Sequence, residues 1–426
     1  MRDIAVALVV FGLLPFVLKR PFWGVLMLAW LGYMNPHRLC YGFMLSFPVV
    51  YVVALTTMVG MLISKEAKRM VWSREIVVLV ILVLWMGITT TQAMYSQLAW
   101  PQYEKVLKIQ LITFMTLLLL TSREKVHLFV WVMALSLAFY GVKGGIFTIA
   151  KGGEHRVWGP MGTFIGGNNE LALALVMTIP LLRYLQLQDK RRLVRLALGA
   201  AMFLCAVAAI GSQSRGALLA LSAMGFVFWL KGRRKLVFAV LIAGVAAVIL
   251  SLMPEAWYER MATIETYQED ASAMGRINAW WVAWNVAQAR LTGGGFEMFK
   301  PLTFQLYAPV PDQVHDVHSI YFEVLGEHGF PGLVLFLLLI VMTWLRCRAV
   351  MRHTRQRPQA HWARDLAAMV QVSLIGYLVG GAFLGLAYFD FFYHLVALAV
   401  VVHYLAVRKP EVGTSIDVRA HPASAT

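Results

Sequence analysis

The sequence predicts an all-α polytopic membrane protein: about 12 transmembrane helices and one large, partly helical loop on the non-cytoplasmic side. Three observations carry that prediction. Hydrophobic residues make up 60% of the 426-residue chain and mean hydropathy is +0.68, against about 45–50% apolar residues in soluble domains. The apolar runs are continuous, each near the length of a bilayer core, which excludes the alternating pattern of a β-barrel. The net charge of +16 is carried by short basic clusters between those runs, a pattern of membrane topology rather than of a nucleic-acid-binding face.

Taken in order, the predicted spans are 4–18, 21–34, 44–63, 75–92, 106–120, 126–147, 169–186, 196–210, 215–230, 236–253, 329–346, 366–386 and 392–407. The first two are short enough to form one hairpin. The first reads as a span rather than a cleaved leader, because another apolar run follows at once without a small-residue cleavage site. Basic clusters set the orientation: Lys65, Lys68, Arg69 and Arg74; Lys190, Arg191, Arg192 and Arg195; Lys231, Arg233, Arg234 and Lys235; six arginines from Arg346 to Arg364; and Arg408 with Lys409. All fall on one side of the proposed topology, which the positive-inside rule makes the cytoplasm. Residues 1–253 then hold the first ten spans, 254–328 the outer loop, 329–407 the last spans, and 408–426 a disordered tail. The outer loop is rich in Trp257, Tyr258, Tyr267, Trp280, Trp281 and Trp284, aromatics suited to a headgroup-level surface. Cys40, Cys205 and Cys347 fit no metal site or disulfide framework.

The outer side collects the residues that carry chemistry. In "SQSRG" a helix begins near Arg215 and runs inward, capped by Ser212 or Ser214. Its free N–H groups, its dipole and the Arg215 guanidinium together make an anion site; the structural alternative is an arginine that snorkels to anchor the helix. In "GTFIGGNNE" Asn168 and Asn169 precede another inward helix, where either caps it or donates to a sugar or phosphate. Arg156, beside Trp158 and Gly159, reads as a binding residue on an ordered loop or as an ordinary loop charge. In "SAMGRINAWW" a helix is expected from near Gly275, with Arg276 in its first turn, where an external anion would neutralise it; a plain surface arginine is the alternative.

The stretch "HDVHSIYFEVLGEHGFPG" packs His315, Asp316, His318, Glu323, Glu327 and His328 into fourteen residues. Placed at the water–lipid boundary, these groups are available for chemistry. A helix is expected from His318, with Asp316 as its cap. The dipole at a helix start disfavours imidazolium, so His318 should stay neutral and able to accept a hydroxyl proton. His315 shares the site or hydrogen-bonds to it. The structural alternative for His318 is a plain hydrogen bond. A metal site at His315, Asp316 and His318 is disfavoured because the side chains diverge along the turn.

At these residues the chain resembles the O-antigen ligase and polymerase superfamily, over roughly residues 150 to 400, and within it the WaaL-type O-antigen ligases. The first 39 residues resemble a subgroup described as protein O-glycosylation ligases. The resemblance implies a GT-C-like fold and a glycosyltransferase of lipopolysaccharide biosynthesis in the bacterial inner membrane, with its active site facing the periplasm. The implied donor is an undecaprenyl-diphosphate-linked glycan and the acceptor lipid A–core oligosaccharide, joined by metal-independent inverting transfer with no cofactor. It maps the family's essential histidine onto His318 and its outer-face arginine onto Arg215, and matches Arg276 loosely. Polymerase and protein O-oligosaccharyltransferase are the nearest alternatives. A lipid-linked glycan flippase should carry charges deep within its spans, and these spans are nearly charge-free.

Overall fold

The computed structural model describes residues 1–231, 235–262 and 271–408, and every regular element within them is a helix. Arg233, Arg234, Tyr267, Lys409 and the tail after Arg408 lie outside the described residues. The first block comprises α1 (Arg2–Lys19), α2 (Phe22–Tyr33), α3 (Phe43–Ser46), α4 (Val49–Ile63), α5 (Arg74–Thr91), α6 (Ser96–Leu119) and α7 (Arg123–Ala150). It continues through α8 (Asn168–Gln188), α9 (Arg192–Gly211), α10 (Arg215–Lys231) and α11 (Lys235–Ser251). The outer loop forms α12 (Glu255–Ala262), α13 (Ala271–Ala289) and α14 (Pro301–Tyr307), and the chain closes with α15 (Ile320–His353), α16 (His361–Gly381) and α17 (Asp390–His403).

Each predicted span overlaps a helix; α16 runs five residues earlier than expected, and three other boundaries differ for identifiable reasons. Proline lacks an amide hydrogen and disfavours helix in the residue before it, so Pro48 splits the third segment into α3 and α4. α6 starts at Ser96 rather than 106, because its polar outer turns are still helical and are tied by Lys108 to Glu104 at 2.5 Å. α15 starts at Ile320 rather than 329 and bends at Gly329, whose φ of +66° only glycine adopts without strain. Six helices are long and apolar enough to cross a membrane among the described residues, and α2, α4, α10 and α11 contribute shorter apolar segments.

One face of the bundle gathers the basic loops. There Arg346 clamps Glu75 through Nε–Oε1 at 2.9 Å and Nη2–Oε2 at 2.7 Å. Glu66 accepts from Lys125 at 2.7 Å and from the Phe22 amide at 3.0 Å, and Arg69 donates to the Tyr404 hydroxyl at 3.0 Å. These contacts join the 65–74 loop to Arg346 and to the end of the last span, three of the places where the loop charges cluster. Cys40, Cys205 and Cys347 are buried free thiols.

The interior is built by close helix approach. A Cβ on Gly145 of α7 would overlap the Leu204 carbonyl of α9, and one on Gly141 would strike Cys205. Without a hydrophobic force between lipid-bathed helices, such small-residue contacts supply the packing. The same device shapes the outer face at Gly380 and Gly381, the last residues of α16. A Cβ on Gly380 would lie 2.6 Å from Leu173 of α8 and 3.2 Å from Ala220 of α10. One on Gly381 would lie 2.7 Å from Cδ1 of Ile320 at the start of α15.

Gly381→Ala should therefore cost about 1–3 kcal/mol by overpacking, read as a lower thermal midpoint in detergent. Ile320→Val in the same chain should recover part of the loss. An unchanged midpoint for the single variant would show that α15 does not depend on this contact.

Candidate functional site

Three helix starts, α8, α10 and α15, meet around the end of α16 on the face opposite the basic loops. At α10, Ser214 accepts the Ala217 amide at 3.3 Å and is the cap, whereas Ser212 donates back to the Ala209 carbonyl at 2.6 Å. Gln213, between them, takes φ +58°, which turns the chain sharply enough for Arg215 to open α10. Gly216 lies against Phe383 and the Gly380 carbonyl, so Arg215 sits beside the α16 terminus, half-buried.

At α8 the expected asparagine cap is not formed. Gly167 is the cap residue with no side-chain bond, and Asn168 instead donates to the Ser212 carbonyl at 2.8 Å, pinning the start of α8 to the α9–α10 turn. Asn169 follows it, half-buried at the same helix start. Glu170 folds its carboxylate back over Gly167, where a Cβ would strike it. Arg156 is exposed and donates from Nε to Gln213 Oε1 at 3.2 Å, which fastens its loop to the same turn.

α13 corrects a second expectation. It is helical from Ala271, so Arg276 lies in its interior rather than in its first turn. Gly275 is in the helix because the His315 ring packs over it and would overlap any Cβ. The loop that carries the histidines is strapped to α13. Asn278 donates to the carbonyls of Val310 at 2.8 Å and Gln313 at 3.0 Å and accepts the Val310 amide at 3.0 Å; Trp280 donates to the Val317 carbonyl at 2.8 Å. Val317 is buried with Ala279, Val282 and Val286, so its neighbours Asp316 and His318 turn the other way.

α15 begins two residues later than expected. Ser319 is the cap position, and Asp316 accepts the Val317 amide at 2.8 Å rather than capping. His318 stands just before the helix with φ +41°, a left-handed conformation that costs a non-glycine residue about 1–3 kcal/mol and is held by its surroundings. Its Nδ1 is buried, has no hydrogen-bond partner among the described residues, and lies 3.8 Å from Asp316 Oδ2. Burial lowers the His318 pKa below the ordinary histidine value; Arg276 and His315 push it further down, while Asp316 and Glu170 oppose them. Burial, the largest of these causes, thus favours the neutral imidazole.

The structure thus gathers all six predicted residues on one face. Arg156, Asn169 and Arg215 surround the α9–α10 turn; Arg276, His315 and His318 lie where α13 meets α15. Gly216 and Ile320 rest on the same two-glycine terminus, which links the two groups. Glu170 gave no signal in the sequence, because an acid in the first turn is ordinary helix chemistry.

The inner half of the titratable stretch is not open to chemistry. Glu327 accepts from the Tyr388 hydroxyl at 2.5 Å and the Glu297 amide at 2.8 Å. His328 pairs with Tyr388 at 2.9 Å and Thr89 at 2.7 Å. Both are buried and partnered, so they brace the bend at Gly329.

Residues 200–337 match the O-antigen ligase family. That segment contains Arg215, Arg276, His315 and His318, and it supports a glycosyl transfer of the ligase or polymerase type in a multi-pass membrane protein. Residues 1–190 match a family of unknown function (DUF5935), and Arg156 and Asn169 fall there. No curated protein matches the chain.

Tyr388→Phe removes the hydroxyl that donates to Glu327 and also hydrogen-bonds His328. It should destabilise the protein by about 1–3 kcal/mol, since a buried polar group is left short of a partner. Thermal unfolding in detergent measures this, and an unaltered midpoint would show that the clasp adds nothing to stability.

Proposed function

We propose that this chain is an O-antigen ligase: it transfers a glycan from undecaprenyl diphosphate to a hydroxyl of lipid A–core oligosaccharide at the periplasmic face of the bacterial inner membrane. One observation supports this most. A neutral, half-buried histidine just before α15, Arg215 at the start of α10 and Arg276 within α13 lie on one face, in the segment that matches the O-antigen ligase family.

The reaction forms a bond from the acceptor oxygen to the anomeric carbon and breaks the bond from that carbon to the diphosphate oxygen. The electron pair leaves with undecaprenyl diphosphate. His318 takes the hydroxyl proton; with Nδ1 buried toward Asp316, Nε2 is the accepting nitrogen. Arg215, Arg276 and the α10 helix start neutralise the charge that builds on the leaving diphosphate, in a reaction that needs no metal. Arg156, Asn169 and His315 bind the substrates around them. Both substrates are lipid-anchored, so confinement in one membrane plane supplies part of the proximity.

Reconstitution with undecaprenyl-diphosphate glycan and rough lipopolysaccharide, with and without chelator, tests the assignment. Glycan attached to lipid A–core in both conditions is the expected product; only longer lipid-linked chains would make it a polymerase, and glycosylated protein a protein transferase. His318→Ala should lower transfer by about 10²–10⁴-fold and Arg215→Ala by about 10²–10³-fold, with the protein still folded. Wild-type rates from either variant would overturn the role assigned to that residue.

The pH profile is a separate check. Protonated His318 cannot take a proton, so transfer falls as pH drops through its pKa, which lies below the ordinary value of 6.5. Arg276→Gln removes a cation that lowers that pKa, so the acid limb should move to higher pH. Asp316→Asn should move it to lower pH. A limb that stays put in both variants would mean another group sets it.

A further inference from the structure

α13 and the outer half of α15 run side by side. His315 covers Gly275, Trp280 stacks on Phe322 at 5.0 Å with rings within 7° of parallel, and Trp284 meets Phe330 edge-on at 5.4 Å. Along this seam lies an apolar groove of about 450 Å³ lined by Ile277, Trp280, Trp281, Trp284 and Phe322. Trp281 is 51% and Trp284 39% exposed.

The two ends of the groove differ. One lies at the cationic site: Arg276 is four residues before Trp280 within α13 and so shares its face, Trp280 stacks on Phe322 in the first turn of α15, and Arg276 acts on His318 just before that turn. The other runs into Phe330 and then Val334, Leu338, Val341 and Leu345, all exposed. These recur every three or four residues and so form one apolar stripe down the membrane-spanning part of α15. A continuous apolar track therefore joins the site to the bilayer interior.

We propose that this groove carries the isoprenoid chain of the donor; this rests on the transfer reaction proposed above. In a polyprenyl diphosphate the hydrocarbon is bonded directly to the phosphate oxygen, so it must begin beside whatever holds the diphosphate. The acyl chains of the acceptor are separated from the reacting hydroxyl by the core sugars. Of the two substrates, only the donor brings hydrocarbon next to Arg276 and His318. The flat, methyl-bearing double bonds of an isoprenoid lie well on indole faces, and the Trp280–Phe322 stack is a rigid floor for them.

Two measurements on the full chain in phospholipid vesicles test this. A diazirine-bearing farnesyl diphosphate, photolysed on the wild-type protein, should label the segment 277–284, and unlabelled undecaprenyl diphosphate should compete. Label elsewhere, or label that does not compete, would mean that the groove takes ordinary membrane lipid, and the proposal fails. Secondly, the KM for a short-chain donor should exceed that for the undecaprenyl donor by about tenfold or more, and Trp281→Ala with Trp284→Ala should bring that ratio toward one. An unchanged ratio overturns the proposal. Should no donor yield transfer, the reaction assignment falls, while competed labelling of 277–284 would still establish the lipid site.

Discussion

Helix backbones in a bilayer must satisfy their own hydrogen bonds, so polar machinery is confined to helix ends and to cavities between them. In this protein that constraint becomes a problem of gathering ends, and the absence of two side chains at Gly380 and Gly381 solves it. α8, α10 and α15 each touch the same short terminus of α16. Arg215 and His318, 103 residues apart in sequence (318 − 215), therefore share one neighbourhood.

Around that terminus the structure separates fully buried, paired groups from half-buried ones. Glu327, His328 and Tyr388 are buried, paired and committed to holding the bend of α15. His318 is held in a left-handed conformation, half-buried, with a buried Nδ1. The same short stretch thus contains groups that are spent on packing and, among the described residues, a ring nitrogen without a hydrogen-bond partner. The strap from α13, through Asn278 and Trp280, fixes the loop by its backbone carbonyls.

Much of this was legible from the residues. Continuous apolar runs marked the helices, and loop arginines marked the face that Glu75–Arg346 and Glu66–Lys125 now lock. Side-chain traffic at helix ends was not legible. Nothing local says that Asn168 will donate across to Ser212 rather than cap its own helix, since the partner lies 44 residues away. Nor does a glycine in "SAMGRIN" disclose that a histidine ring will cover it. The division of the acidic–histidine stretch was hidden for the same reason: Tyr388 and Thr89, which claim Glu327 and His328, come from distant segments.

The Asn168–Ser212 hydrogen bond carries a consequence for how the chain can be recombined. It joins the segment 1–190, matched by one family, to the segment 200–337, matched by another. Glu170, from the first, acts on His318, from the second. The halves are therefore not interchangeable cassettes: a hybrid spliced between α8 and α9 keeps the surroundings of Arg215 and His318 only if the incoming half also brings an amide at 168 and a carboxylate at 170.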